Sequence, residues 1–184
     1  MRPLQVTVDT QALQQNFFHV KKLAPASKVM AVLKANAYGH GLIESAMALK
    51  EADGFAVLNL ADAIDLREHG FEQKILLLEG FFAADEVNIC ANMNIEAVIH
   101  NHEQIQMIDQ SRIKKPLDIH LKFNTGMNRL GFVYDKSSPL IDELLSHNKI
   151  NNVTLMTHFA TADEAAGIDQ QMQHFLSICE GRNQ

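Results

Sequence analysis

Short apolar runs alternate with amphipathic stretches along almost the whole chain. The run Val29-Met30-Ala31-Val32-Leu33 is continuous, apolar and short, the pattern of a buried strand. Gly39 and Gly41 then break the pattern and lead into a helix. Further strands are predicted from Gly54 to Leu58, Lys74 to Leu78, Ile95 to Ile99, Asp118 to Phe123 and Val153 to Phe159. The strands therefore begin near residues 28, 54, 74, 95, 118 and 153, and each is followed by helical spacing. One predicted helix places Ile43, Ala46, Met47 and Lys50 on one face, and another runs through Ala61, Ile64 and Leu66 to a stop at Gly70. Helices are also expected over 83–91, 102–110 and 138–146.

At the start, a short strand from Leu4 to Asp9 is expected, with Asp9 then capping a helix faced by Leu13, Phe17 and Val20. Near the other end, Thr161-Ala162-Asp163-Glu164 has the form of a capping box. It would open a helix through Ile168, Met172, Phe175, Leu176 and Cys179, with Asp163 and Glu164 at its positive end.

Strand-turn-helix units at this spacing predict an α/β fold around a parallel sheet. Periodicity leaves two architectures open, a doubly wound sheet and an eight-stranded barrel. No internal repeat, low-complexity tract or linker interrupts the alternation. At 184 residues the chain can bury one substantial core, and an apolar content of 47% excludes a disordered chain. A net charge of -6, with no dominant basic patch, disfavours non-specific nucleic-acid binding. No apolar run is long enough to span a bilayer, and the start lacks the apolar core of a signal peptide. Cys90 and Cys179 stand far apart and read as free thiols in a reducing cytoplasm.

Three stretches carry candidate chemistry. Lys34 ends the first apolar run, where apolar surroundings disfavour an ammonium and would leave a nucleophilic amine. A lysine that snorkels its head out of the strand end is the alternative. In His120-Leu121-Lys122-Phe123-Asn124-Thr125-Gly126-Met127-Asn128-Arg129-Leu130-Gly131-Phe132, charged residues again follow a strand, and Thr125-Gly126 suits a tight turn. Taken alone, Arg129 is more simply a surface ion-pair residue. His158, in Met156-Thr157-His158-Phe159-Ala160, is more simply a satisfied core histidine. His100-Asn101-His102 has no third ligand at metal spacing, so no metal site is expected.

The wording of these stretches changes that balance. Lys34-Ala35-Asn36-Ala37-Tyr38-Gly39-His40-Gly41 resembles the cofactor-lysine segment of the alanine racemases over eight consecutive residues. The other two stretches resemble the same family. The resemblance implies a (β/α) barrel of the TIM type, incomplete here, with six of its eight strands present. It implies pyridoxal 5'-phosphate as cofactor, bound as an imine by Lys34 and through its phosphate by Tyr38. It implies that Arg129 hydrogen-bonds the phenolic oxygen and helps place the substrate carboxylate. Lys122 matches a lysine that the family often carbamylates, and His158 would lie against the cofactor ring. All would then converge on the rim where strands end, the site of chemistry in barrels. Asn124 departs from the family's more usual aspartate, so a role needing charge there does not carry over.

The implied reaction is racemisation of L- and D-alanine, supplying D-alanine for the cell wall, with Lys34 as base on the face serving D-alanine. The family's second base is a tyrosine in a carboxyl-terminal β-domain, given by the other subunit of a homodimer. The two tyrosines here, Tyr38 and Tyr134, do not match it. Residues 1–184 are therefore expected to be the amino-terminal, cofactor-binding barrel portion of a cytoplasmic enzyme, lacking that β-domain and inactive alone. A single-domain cofactor carrier and an inert folded fragment are the rival expectations.

Overall fold

A computed structural model describes residues 6–135 and 139–180. They belong to two compact units, Met1–Leu78 and Glu79–Gln184. Both are built from parallel strands, ordered as in the chain, with helices in the connections.

The first unit opens with α1 (Thr10–Leu23), and Asp9 caps it by accepting from the N–H groups of Gln11 and Ala12 at 3.0 Å each. Two donors that a helix start leaves unpaired are thereby satisfied. The strand expected to lead into Asp9 does not form over Val6–Asp9, where the Asp9 side chain serves the cap instead; Leu4 and Gln5 lie outside the described residues. The strands β1 (Met30–Val32), β2 (Gly54–Val57) and β3 (Lys74–Leu77) lie side by side in parallel, with Met30 opposite Gly54 and Gly54 opposite Lys74. Gly54 makes that approach possible, because a Cβ there would meet the Lys74 carbonyl oxygen and the Met30 Cε at 2.9 Å.

All of β2 and the last three residues of β3 are buried, as apolar strands between helices should be. The expectation of a buried first strand fails. β1 is half-buried with Val32 exposed, because within this unit it pairs along one edge only. Its start is fixed from outside the ladder: the Asp53 carboxylate accepts from the Val29 N–H at 2.7 Å and from Lys21 Nζ at 3.2 Å. Those bonds, the backbone one first, hold the Asp53 carboxyl below its ordinary pKa.

Between the strands run α2 (Lys34–Tyr38), α3 (Leu42–Ala48) and α4 (Leu60–Glu68). α3 buries Leu42, Ser45 and Ala46 and leaves Met47 exposed. The expected face was one residue later, and a one-residue offset turns a helix face by about 100°.

The second unit contains α5 (Ala84–Met93), β4 (Ile95–Ile99), α6 (His102–Gln110), β5 (Leu117–Lys122), α7 (Leu140–Leu145), β6 (Ile150–Met156) and α8 (Asp169–Cys179). β4 and α6 coincide with their predicted spans. Ser138, the expected start of the helix that became α7, lies outside the described residues. In β5, Leu117, Ile119 and Leu121 are buried on one side, so Asp118, His120 and Lys122 share the other. On that side His120 Nε2 meets the buried Glu96 carboxylate of β4 at 2.7 Å.

β6 starts at Ile150, three residues before the predicted run, because Asn152 pairs with Asp118 despite being polar. Lys149, just ahead of it, donates Nζ to the carbonyls of Ile108, Asp109 and Ser111 at 3.1, 2.6 and 2.7 Å. These acceptors lie at the end of α6, where helix carbonyls run short of intrahelical partners and a cation also suits the helix dipole. Lys149→Met is expected to lower stability by about 1–2 kcal/mol in urea unfolding.

The capping box at Thr161 is not used. Residues 160–167 form turns, and α8 begins only at Asp169. The Thr161 hydroxyl donates to the Gly167 carbonyl at 2.7 Å, and Gly167 adopts a φ of +63° that stops helical propagation. Asp169, rather than Asp163 or Glu164, is the acid in the first turn.

Candidate functional site

The Lys34 segment is a turn of left-handed helix. Ala35, Asn36, Ala37 and Tyr38 have φ values of +52°, +54°, +52° and +55°. Such a conformation costs a non-glycine residue roughly 1–2 kcal/mol, so the turn stands only where its surroundings fix it. Here the Ala37 N–H donates to the Leu33 carbonyl at 2.8 Å and the Gly39 N–H to the Ala35 carbonyl at 3.1 Å. Asn36 Oδ1 accepts from the Leu42 N–H at 2.8 Å, tying the turn to the start of α3. Gly39, with a φ of +86°, lets the chain leave the turn.

The turn brings Lys34 and Tyr38 together. Lys34 Nζ lies 5.7 Å from the centre of the Tyr38 ring. Lys34 is half-buried rather than buried, and Tyr38 is 61% exposed. A reachable primary amine next to a reachable phenol is a donor set that suits an aldehyde bearing a phosphate. Sequence reasoning found both residues and a turn, but nothing in a run free of glycine signalled left-handed backbone.

In the second unit, Lys122 ends β5 with only 6% of its surface exposed. Desolvation pushes its ammonium below the ordinary pKa, the Arg129 guanidinium pushes it further, and Glu79 acts against both. Because the native state sheds this proton more readily than the unfolded chain, stability should rise as pH climbs towards the ordinary value of 10.5. Lys122→Met is expected to leave neutral-pH stability unchanged or raised by up to about 2 kcal/mol and to abolish that alkaline rise. Unfolding midpoints across pH 7–10.5 check both.

Arg129 is exposed on a loop that is closed at its base. The Phe132 N–H donates to the Lys122 carbonyl and the Asn124 N–H to the Phe132 carbonyl, both at 2.9 Å. Inside the loop, Asn124 Oδ1 accepts from the N–H groups of Gly126 and Asn128 at 3.0 Å each. The role of Asn124 is thus conformational and needs an acceptor oxygen, not a charge. His158 stands two residues beyond β6 and is exposed. Its loop is joined to the Arg129 loop, since the Thr125 and Thr157 hydroxyls lie 2.8 Å apart.

The histidines of His100-Asn101-His102 have other work. His100 Nε2 faces the Glu79 carbonyl at 3.1 Å, and His102 packs edge-on against Phe132. Among the described residues no group of His, Cys, Asp and Glu could hold a metal ion, and no helix is long and apolar enough to cross a membrane. Glu79 was missed in the sequence, though it follows an apolar strand just as Lys34 does. Thr125 and Thr157 gave no such signal.

Residues 8–184 match the family model of the alanine racemase N-terminal domain. The chain belongs to that family. It is 46% identical over 184 residues to the alanine racemase of Nitrosospira multiformis, covering 98% of this chain and 52% of that protein. It is 43% identical over 180 residues to the catabolic alanine racemase of Klebsiella aerogenes, covering 98% of this chain and 51% of the relative. The crystal structure of biosynthetic alanine racemase from Pseudomonas aeruginosa superposes with a TM-score of 0.91 at 39% identity, over 98% of this chain and 51% of that one. The chain spans about half the length of the curated relatives it matches. The parallel strands and alternating helices are accordingly those of the alanine racemase barrel, with six strands among the described residues.

Proposed function

We propose that residues 1–184 are the pyridoxal-phosphate-binding portion of an alanine racemase, interconverting L- and D-alanine as a cytoplasmic homodimer and supplying D-alanine for the cell wall. The left-handed turn that presents Lys34 beside Tyr38, in a chain of this family, is the observation that carries the reading most directly. Lys34 would hold the cofactor aldehyde through its amine, and the Lys34 amine would take or return the alpha proton of the substrate on one face. The Tyr38 hydroxyl would donate to the phosphate.

Arg129 offers a permanently charged fork to the phenolic oxygen and to the substrate carboxylate. Lys122 stands against it as a desolvated amine and is the candidate for carbamylation, which would exchange a cation for an anion and orient the guanidinium. His158 would lie against the cofactor ring. When bound, pyridoxal phosphate supplies a conjugated electron sink for the charge left at the alpha carbon.

The test is equilibrium dialysis of the chain with pyridoxal phosphate. Stoichiometric retention that added alanine perturbs supports the reading. A chain that is folded by circular dichroism yet retains none contradicts it.

A further inference from the structure

One side chain of α8, Gln171, bonds the loop that carries His158 and lies beside the loop that carries Arg129. Gln171 is only 9% exposed, and its side chain uses both oxygen and nitrogen on the segment after β6. Its Oε1 accepts from the Ala160 N–H at 2.7 Å, two residues after His158, and its Nε2 donates to the Thr161 hydroxyl at 2.7 Å. Thr161 passes its own proton to the Gly167 carbonyl, so the amide reaches both ends of a turn that backbone bonds from Glu164 to Thr161 and from Gly167 to Glu164 hold inside. The stem of Gln171 lies beside the Arg129 loop. A Cβ added to Gly126 would come within 3.3 Å of Gln171 Cγ, so a glycine there leaves room for that stem.

A second bridge runs in parallel. Thr157 donates its single hydroxyl proton to the Phe123 carbonyl at 3.0 Å, which leaves Thr125, 5% exposed, to donate to Thr157 at 2.8 Å. The hydroxyl pair joins the segment after β5 to the segment after β6, Gln171 bonds the latter from α8, and Thr125 and Gln171 are themselves buried. An unpaired polar atom at either would be costly there.

We infer that Gln171 and the Thr125–Thr157 hydroxyl pair are positioning residues that make the Arg129 loop and the His158 loop a single rigid unit, so that guanidinium and imidazole are set together. The functional part of this rests on the roles proposed above for Arg129 and His158. The coupling itself does not need the cofactor.

The test is amide hydrogen exchange on the full chain carrying Gln171→Met, Thr157→Val or Thr157→Ser. Loss of one bridge should speed exchange about tenfold in residues 125–131 as well as in 158–167, although Gln171 is far in sequence from the first of these. Thr157→Ser, which keeps the hydroxyl, should restore protection in both segments. If Gln171→Met does not fold, the Thr157 pair decides alone. Exchange that accelerates only in 158–167 overturns the coupling. Pyridoxal phosphate affinity, measured alongside, should fall in the variants whose exchange rises. Unchanged affinity overturns the positioning role, whereas a wild-type chain that retains no cofactor overturns the functional reading and leaves the exchange result to decide the coupling.

Discussion

Lys34→Ala is expected to abolish retention of pyridoxal phosphate while leaving the fold intact. The lysine is half-buried, and its contact with the Tyr38 ring at 5.7 Å is at the outer edge of cation–π range on an exposed ring, where such contacts are weak. The bonds that hold the turn belong to the backbone and to Asn36, so unfolding should move by less than about 0.5 kcal/mol. Lys34→Arg should fail as well, because a guanidinium keeps the charge but not the nucleophilic amine. In the complete enzyme either change should cost at least about a thousandfold in turnover, the scale expected when a proton-transfer group is lost. Retained cofactor in the alanine variant, read by absorbance after dialysis, would show that another group holds it.

Gly131→Ala is expected to destabilise the chain by about 2–4 kcal/mol and to weaken cofactor binding through the Arg129 loop. Gly131 has a φ of +118°, and a Cβ there would sit 2.8 Å from the Asn124 nitrogen, 2.9 Å from the Phe123 carbonyl carbon and 3.1 Å from the Lys122 oxygen. All three neighbours are backbone, in the segment whose two hydrogen bonds close the loop. The loop can admit the methyl only by opening. Gly70→Ala is the control, since Gly70 also has a positive φ, +82°, but has nothing within 4 Å of a Cβ. It should cost only roughly 1–2 kcal/mol, the conformational penalty alone. Equal losses at the two positions would mean that crowding at Gly131 does not matter.

The parts legible in the sequence are those in which one local rule acts without competition. β4 between its turns, α6 after Asn101 and α1 after Asp9 follow from apolar runs and caps. Lys34, Tyr38, Lys122, Arg129 and His158 could be named because wording, more than periodicity, marked them. Partnership decides what was not legible. Thr161 and Glu164 have the composition of a capping box, but the Thr161 hydroxyl finds Gly167 and Gln171 instead. Asn152 looks like a residue before a strand, yet ladder pairing with Asp118 draws it in. The first apolar run reads as buried because hydrophobicity does not say how many edges of a strand are paired. The left-handed turn is held by hydrogen bonds from both of its ends, which no composition rule encodes.

The central claim, that Lys34 is the residue that holds the cofactor, is tested most directly by borohydride reduction of the 20.6 kDa chain in the presence of pyridoxal phosphate, followed by intact mass and peptide mapping. Reduction turns a reversible carbonyl–amine linkage into a stable bond, so the adduct reports where the cofactor was held. The account predicts one phosphopyridoxyl group, mapped to Lys34, absent from the Lys34→Ala variant and suppressed by unfolding before reduction. Label spread over exposed lysines such as Lys50, with Lys34 unmodified in the folded chain, would contradict it.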